Sequence, residues 1–228
     1  MDRVRIGYGF LTAMITPAGG ITNDDVASLR DQHPDRFFGV AAVDPRRIMP
    51  ALAELDRAVN ELGFIALRLE TFMWEMLPTD RRLYPLYARC AELDIPVCLQ
   101  IGNTGSFWSS EPGRPLHLDR IALDFPELTI VGGHIGWPWT AEAIAIAWKH
   151  PNVFIDSSAH LPRHFPPEFL HFAKTFGRTK VMWGTDYPLL DLEKTRVQVD
   201  ELDLEPDVAR AFLFDNAQRV FKLPVDPT

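Results

Sequence analysis

The chain has 228 residues, 46% of them hydrophobic, enough to bury one large core and better suited to a single α/β domain over 1–228 than to two. Its 23 basic and 31 acidic residues leave a net charge of −8. An acidic chain without a lysine/arginine cluster is a poor partner for nucleic acid or an anionic membrane, so the expected ligand is a small-molecule substrate. No apolar run is long enough to span a bilayer, and glycines with Thr12 interrupt the amino-terminal one, which reads as a buried strand rather than a signal peptide. Cys90 and Cys98 have no spacing that suggests a disulfide framework or a zinc knuckle. They read as reduced packing residues of a cytoplasmic protein.

Along the chain, apolar runs alternate with helical patterns. Strands are expected at Val4–Gly9, Phe37–Val43, Phe64–Glu70, Pro96–Ile101, Leu128–His134, Val153–Asp156 and Lys180–Gly184, each nearly continuously apolar, as parallel strands covered on both faces must be. Helices are expected at about 22–33, 47–62, 80–93, 116–125, 140–149, 166–176, 192–202 and 206–215. Thr22 or Asn23, Thr79 and Thr140 stand as caps at three of their starts. A βα unit therefore recurs every ~30 residues, as right-handed crossovers between parallel strands require, and the prolines fall between elements.

Two strand ends carry titratable groups. Lys180-Val181-Met182-Trp183 runs into Gly184-Thr185-Asp186-Tyr187-Pro188, and Leu128-Thr129-Ile130-Val131-Gly132-Gly133 delivers His134. In a parallel barrel such C-terminal strand ends surround one mouth, so a carboxylate and an imidazole there suggest hydrolysis or decarboxylation. Asp156 ends another strand and either orients His134 or the substrate or closes an Asx turn. Arg68 either points a guanidinium at a substrate carboxylate or pairs with Glu70. Trp74, Trp108, Trp137 and Trp139 follow strand ends and offer an aromatic wall, Trp137 the first candidate among them for substrate contact; packing under loops is the commoner role. Of the remaining histidines only His160 lies near the expected mouth.

Several motifs in one order carry a family resemblance over nearly the whole chain: Gly19-Gly20-Ile21-Thr22-Asn23-Asp24 with His33-Pro34-Asp35-Arg36-Phe37, Asp124-Phe125-Pro126-Glu127-Leu128 with His134-Ile135-Gly136, Gly184-Thr185-Asp186-Tyr187-Pro188, and Asp215-Asn216-Ala217-Gln218-Arg219-Val220-Phe221. The chain resembles the amidohydrolase-related hydrolases and decarboxylases, in the branch of aminocarboxymuconate-semialdehyde decarboxylase. The resemblance implies a TIM-like (β/α)8 barrel in which the seven strands above are strands two to eight. It also implies a divalent metal, commonly zinc, held by a His-x-His pair on strand one, a histidine ending strand five and an aspartate ending strand eight, with the strand-six histidine acting on water or substrate.

Only the last two positions match, as Asp186 and His134. The chain contains no His-x-His, and Gln100 stands where the strand-five histidine would be. Asp186 is then the one matched ligand, where a catalytic zinc needs three protein ligands, so residues 1–228 alone are expected to bind metal weakly or not at all. Either a preceding segment carries strand one or the chain is a short, atypical member. An open barrel leaves strand edges that favour a homo-oligomer or a rearranged terminus. The expected activity is hydrolysis of a small cyclic or carboxylate-bearing substrate, with His134 as general base and Asp186 as metal ligand or proton relay. Decarboxylation of an aromatic or muconate-like acid and an inactive ligand-binding relative are the alternatives.

Overall fold

The structure is a computed structural model that describes residues 1–105 and 107–224. Elements run in the order β1 (Gly9–Thr12), β2 (Met14–Thr16), β3 (Gly19–Ile21), α1 (Asn23–Arg30), β4 (Phe37–Ala41), α2 (Ile48–Asn60), β5 (Ala66–Leu69), α3 (Tyr84–Glu92), β6 (Val97–Gln100), α4 (Leu116–Asp124), β7 (Ile130–Gly133), α5 (Thr140–Lys149), β8 (Val153–Asp156), α6 (Pro167–Lys174), β9 (Val181–Met182), α7 (Leu192–Asp200), α8 (Pro206–Arg210) and α9 (Asn216–Phe221). Among the described residues, β1, β4, β5, β6, β7, β8 and β9 form one seven-stranded sheet in chain order, each neighbouring pair parallel. This is the expected α/β architecture. From β4 to β9 each strand buries both faces. Ala41, Leu67, Leu69, Val97, Leu99, Ile130, Ile155 and Val181 enter the core shared with the helices. Val40, Ala66, Val131, Phe154 and Met182 enter a second cluster closed by Val220, Phe221 and Leu223.

That second cluster lies inside a curl. The Phe221 ring packs on Phe10 of β1 at 4.7 Å, Phe214 stands 6.2 Å from Tyr8, and Trp183, just after β9, donates its backbone N–H to Phe212 O at 2.8 Å. One C-terminal segment thus touches both edges of the sheet. The helix expected at 206–215 runs further than that, because α8 passes through a π-helical turn at Ala211–Asp215 into α9. Buried Asn216 fixes this stretch by donating to the carbonyls of Arg178 at 2.8 Å and Val181 at 2.7 Å.

The amino terminus corrects the sequence reading. Asp2–Val4 is a 3-10 turn ended by Arg5 at φ 55°, so the first strand begins at Gly9 rather than Val4, where it pairs with Phe37. The β2–β3 hairpin escapes a reading tuned to long apolar runs. Its turn needs Gly19 at φ 109° and Gly20 at φ 156°, and a side-chain carbon at 20 would collide with Met14 O. Thr22 caps α1 with a full capping box to Asp25. Asp80, not Thr79, caps the turn ahead of α3, and Thr140 lies inside α5 with Trp139 at its cap.

Candidate active site

Strand period 2 decides which residues share the concave face. Arg68 sits opposite Cys98, Gln100 opposite Gly133, and Asp156 opposite Met182. Gly133 keeps the middle of this row open, since a side-chain carbon there would come to 3.1 Å from Asp156 Oδ2. Beyond the strands the chain turns sharply: His134, Ile135 and Gly136 have φ of 73°, 52° and 74°, and Asp186 has φ of 60°. Left-handed backbone is costly for a β-branched residue such as Ile135 and concentrates where a side chain must be aimed. Here it aims His134 back over the strand ends.

His134 Nε2 lies 3.4 Å from Arg68 Nη2 and 3.8 Å from Asp186 Oδ2. An arginine can only donate, so a hydrogen bond from Arg68 calls for Nε2 as acceptor. Arg68 Nε in turn donates to Glu70 Oε1 in a close ion pair. Burial works against the Arg68 charge, but the Glu70 and Asp156 carboxylates outweigh it and hold the guanidinium more firmly protonated than usual. For His134, burial and then the Arg68 charge push ionisation below its ordinary value of 6.5, against the pull of Asp156, Asp186 and Glu70. The imidazole is neutral at pH 7.

The structure brings His134, Asp186 and Arg68 together and settles the two open readings of Arg68 and Asp156 in part. Arg68 does pair with Glu70. Asp156 accepts from Ser158 N–H at 2.9 Å and from the Ser158 hydroxyl, so an Asx-type turn holds it beside the group. Gln100 donates Nε2 to Asn103 O at 3.1 Å, while its Oε1 and Glu70 Oε2 are buried with no hydrogen-bond partner among the described residues. Trp137 is half exposed, and its carbonyl rather than its ring makes the tie, accepting from Asn103 N–H at 2.8 Å. His160 Nδ1 donates to Ser158 O, 3.3 Å away, and burial lowers its ionisation. Glu70 and Ser158 are the members that sequence reading did not place in the site. The first was visible only as a partner of Arg68, and the second needed the turn geometry.

The donor set does not fit a divalent cation. Among the described residues no three His, Cys, Asp or Glu side chains are placed to hold one ion. A guanidinium faces His134 Nε2, and Gln100 offers a neutral amide. The Cys98 thiol is pushed up to about 12 by burial. It is free, as is buried Cys90.

A solved TIM-barrel protein from Bordetella bronchiseptica superposes on 97% of this chain and 80% of its own with a TM-score of 0.90 and 31% identity. The 2-keto-4-carboxy-3-hexenedioate hydratase of Sphingobium sp. is 27% identical over 92% of this chain and 72% of its own length. The gamma-resorcylate decarboxylase of Rhodococcus jostii is 25% identical over 88% of this chain and 75% of its own. A dihydroxybenzoic acid decarboxylase structure from Polaromonas sp. JS666, with bound manganese and the inhibitor 2-nitroresorcinol, covers 88% of this chain and 73% of its own at a TM-score of 0.70 and 22% identity. These likenesses support the TIM-barrel fold expected from the sequence, and no helix among the described residues is long and apolar enough to cross a membrane. The amidohydrolase family model matches residues 9–223, and the chain belongs to that family.

Proposed function

We propose that this chain is a lyase of the amidohydrolase family that removes carbon dioxide from a small aromatic or conjugated carboxylic acid. The hydrolysis expected first gives way to the decarboxylation alternative, because the curated relatives carry lyase names. The observation that carries the reading is His134 Nε2 held between the Arg68 guanidinium and the Asp186 carboxylate. When the bond to the carboxylate breaks, its electron pair stays on carbon, which must take up one proton. Asp186, with its side chain 38% exposed, meets solvent and passes that proton through His134 to the carbon. Arg68 is assigned to a substrate oxygen that remains, since a guanidinium on the departing carboxylate would stabilise the ground state and oppose its loss. Gln100 and Asp156 line the same face and bound the substrate, with Trp137 at its rim. Addition of water to a conjugated double bond is the second reading, favoured by the hydratase relative.

Purified protein is to be assayed for carbon dioxide release from mono- and dihydroxybenzoates and for water addition to unsaturated dicarboxylic acids, with and without Mn2+. His134→Gln and Asp186→Asn are each expected to lower kcat about 100-fold, the low end of what a positioned acid–base group contributes. Full activity in both variants, or turnover of lactones alone, refutes the lyase reading.

A further inference from the structure

A divalent cation is held by deprotonated donors that converge on one point. In this mouth the positive charge is already supplied by the protein. Arg68 spends its Nε on Glu70 Oε1, and its Nη2 makes only a long contact of 3.4 Å with His134 Nε2, so the guanidinium keeps donors to spare beside the imidazole. Its side chain is 20% exposed, which shields it from bulk water while leaving it reachable. The Glu70 carboxylate that would attract a cation is engaged by Arg68, and Gln100 offers a neutral amide oxygen. A cation entering beside His134 would meet a like charge.

We infer that the Arg68 guanidinium, and not a bound divalent cation, is the positive centre of this mouth and holds the anionic oxygen of the ligand beside His134 Nε2. The inference rests on the small-acid ligand of the proposed function. It also assigns a part to two acceptors of this mouth that are buried without a partner among the described residues: Glu70 Oε2 and Gln100 Oε1, the latter on a residue only 6% exposed, take hydrogen bonds from hydroxyls on the ligand. Arg68 is the group that fixes specificity for an oxyanion, and Glu70 competes with the ligand for it.

The test uses 2-nitrophenol, whose phenolate absorbs visible light, as probe for the full chain dialysed against chelator. The metal-depleted wild type is expected to bind the probe and to raise its phenolate fraction at fixed pH. Arg68→Met should weaken binding at least about tenfold, the equivalent of one charge-assisted hydrogen bond, and Mn2+ or Zn2+ should neither tighten the wild type nor rescue the variant. Glu70→Gln, which leaves Arg68 without its competitor, should bind more tightly, and it decides the matter if Arg68→Met fails to fold. No binding by the metal-depleted wild type, binding restored by one equivalent of Mn2+ or Zn2+, or unchanged or weaker affinity in Glu70→Gln overturns the inference. Decarboxylation that needs added Mn2+ would remove this inference and leave the lyase reading standing; phenolate binding with no turnover of any acid would do the reverse.

Discussion

His134 is the residue on which the proposed chemistry turns, and its ionisation ties Arg68 to a measurable pH dependence. Burial is the larger cause of its lowered ionisation and the Arg68 charge the second. A lowered imidazole contributes stability that is complete above the ordinary value of 6.5 and is lost as pH falls from there toward the native value. Because His134 hands the proton to carbon in the proposed reaction, the limb of the rate profile that follows its ionisation should lie below 6.5. Replacing Arg68 by Met removes a repelling charge, so the His134 ring should titrate at higher pH in the variant than in the wild type, followed by NMR of the ring protons. Identical titrations in the two proteins would show that the 3.4 Å contact does not persist in solution. Much of this residue set is legible in the sequence. His134 and Asp186 each end an apolar run before a turn, and the two-residue strand period already puts Arg68 and Glu70 on one face. What the sequence lacks is the distance between strand ends far apart in the chain, so the guanidinium against the imidazole does not follow from it, whereas the Ser158 grip on Asp156 is the Asx turn that the sequence offered as one reading.

At the scale of elements, the turns after β6 and β7 are locked together by a glycine. Gly102 has φ 96°, and a side-chain carbon there would lie 2.6 Å from Trp137 O. Its N–H also donates to Gly113 O at 2.6 Å. Gly102→Ala should cost ~1–3 kcal/mol through left-handed strain and that collision, lowering the urea midpoint at unchanged slope. An unshifted midpoint would mean that the two loops are not braced in this way. The central strands agree with sequence expectation because their apolar runs are bounded by turn residues, and Val153–Asp156 coincides with β8. The amino-terminal strand does not, since Val4–Gly9 is apolar enough but pairing with Phe37 begins only at Gly9. Composition gives the presence of a strand; the partner sets its limits.

For the molecule as a whole, the question is what replaces closure of the sheet between β1 and β9. The C-terminal segment bridges the two edges unequally. It gives β9's end a backbone hydrogen bond through Trp183 and Phe212, but it meets β1 through rings, Phe221 on Phe10 and Phe214 near Tyr8. Among the described residues the outer backbone edge of β1 has no strand beside it, and such an edge can pair with another chain. The purified protein is therefore expected to self-associate in a concentration-dependent way by light scattering. A monomer at all concentrations would refute pairing at that edge. Phe221 is 7% exposed and joins the inner cluster to β1, so Phe221→Ala should cost about 3 kcal/mol by the usual cavity penalty. The same change strips the cover from Phe10, already 37% exposed, and should shift the light-scattering average to larger species under native conditions. A variant as stable and no more associated than the wild type would show that the segment rests on the sheet without closing it.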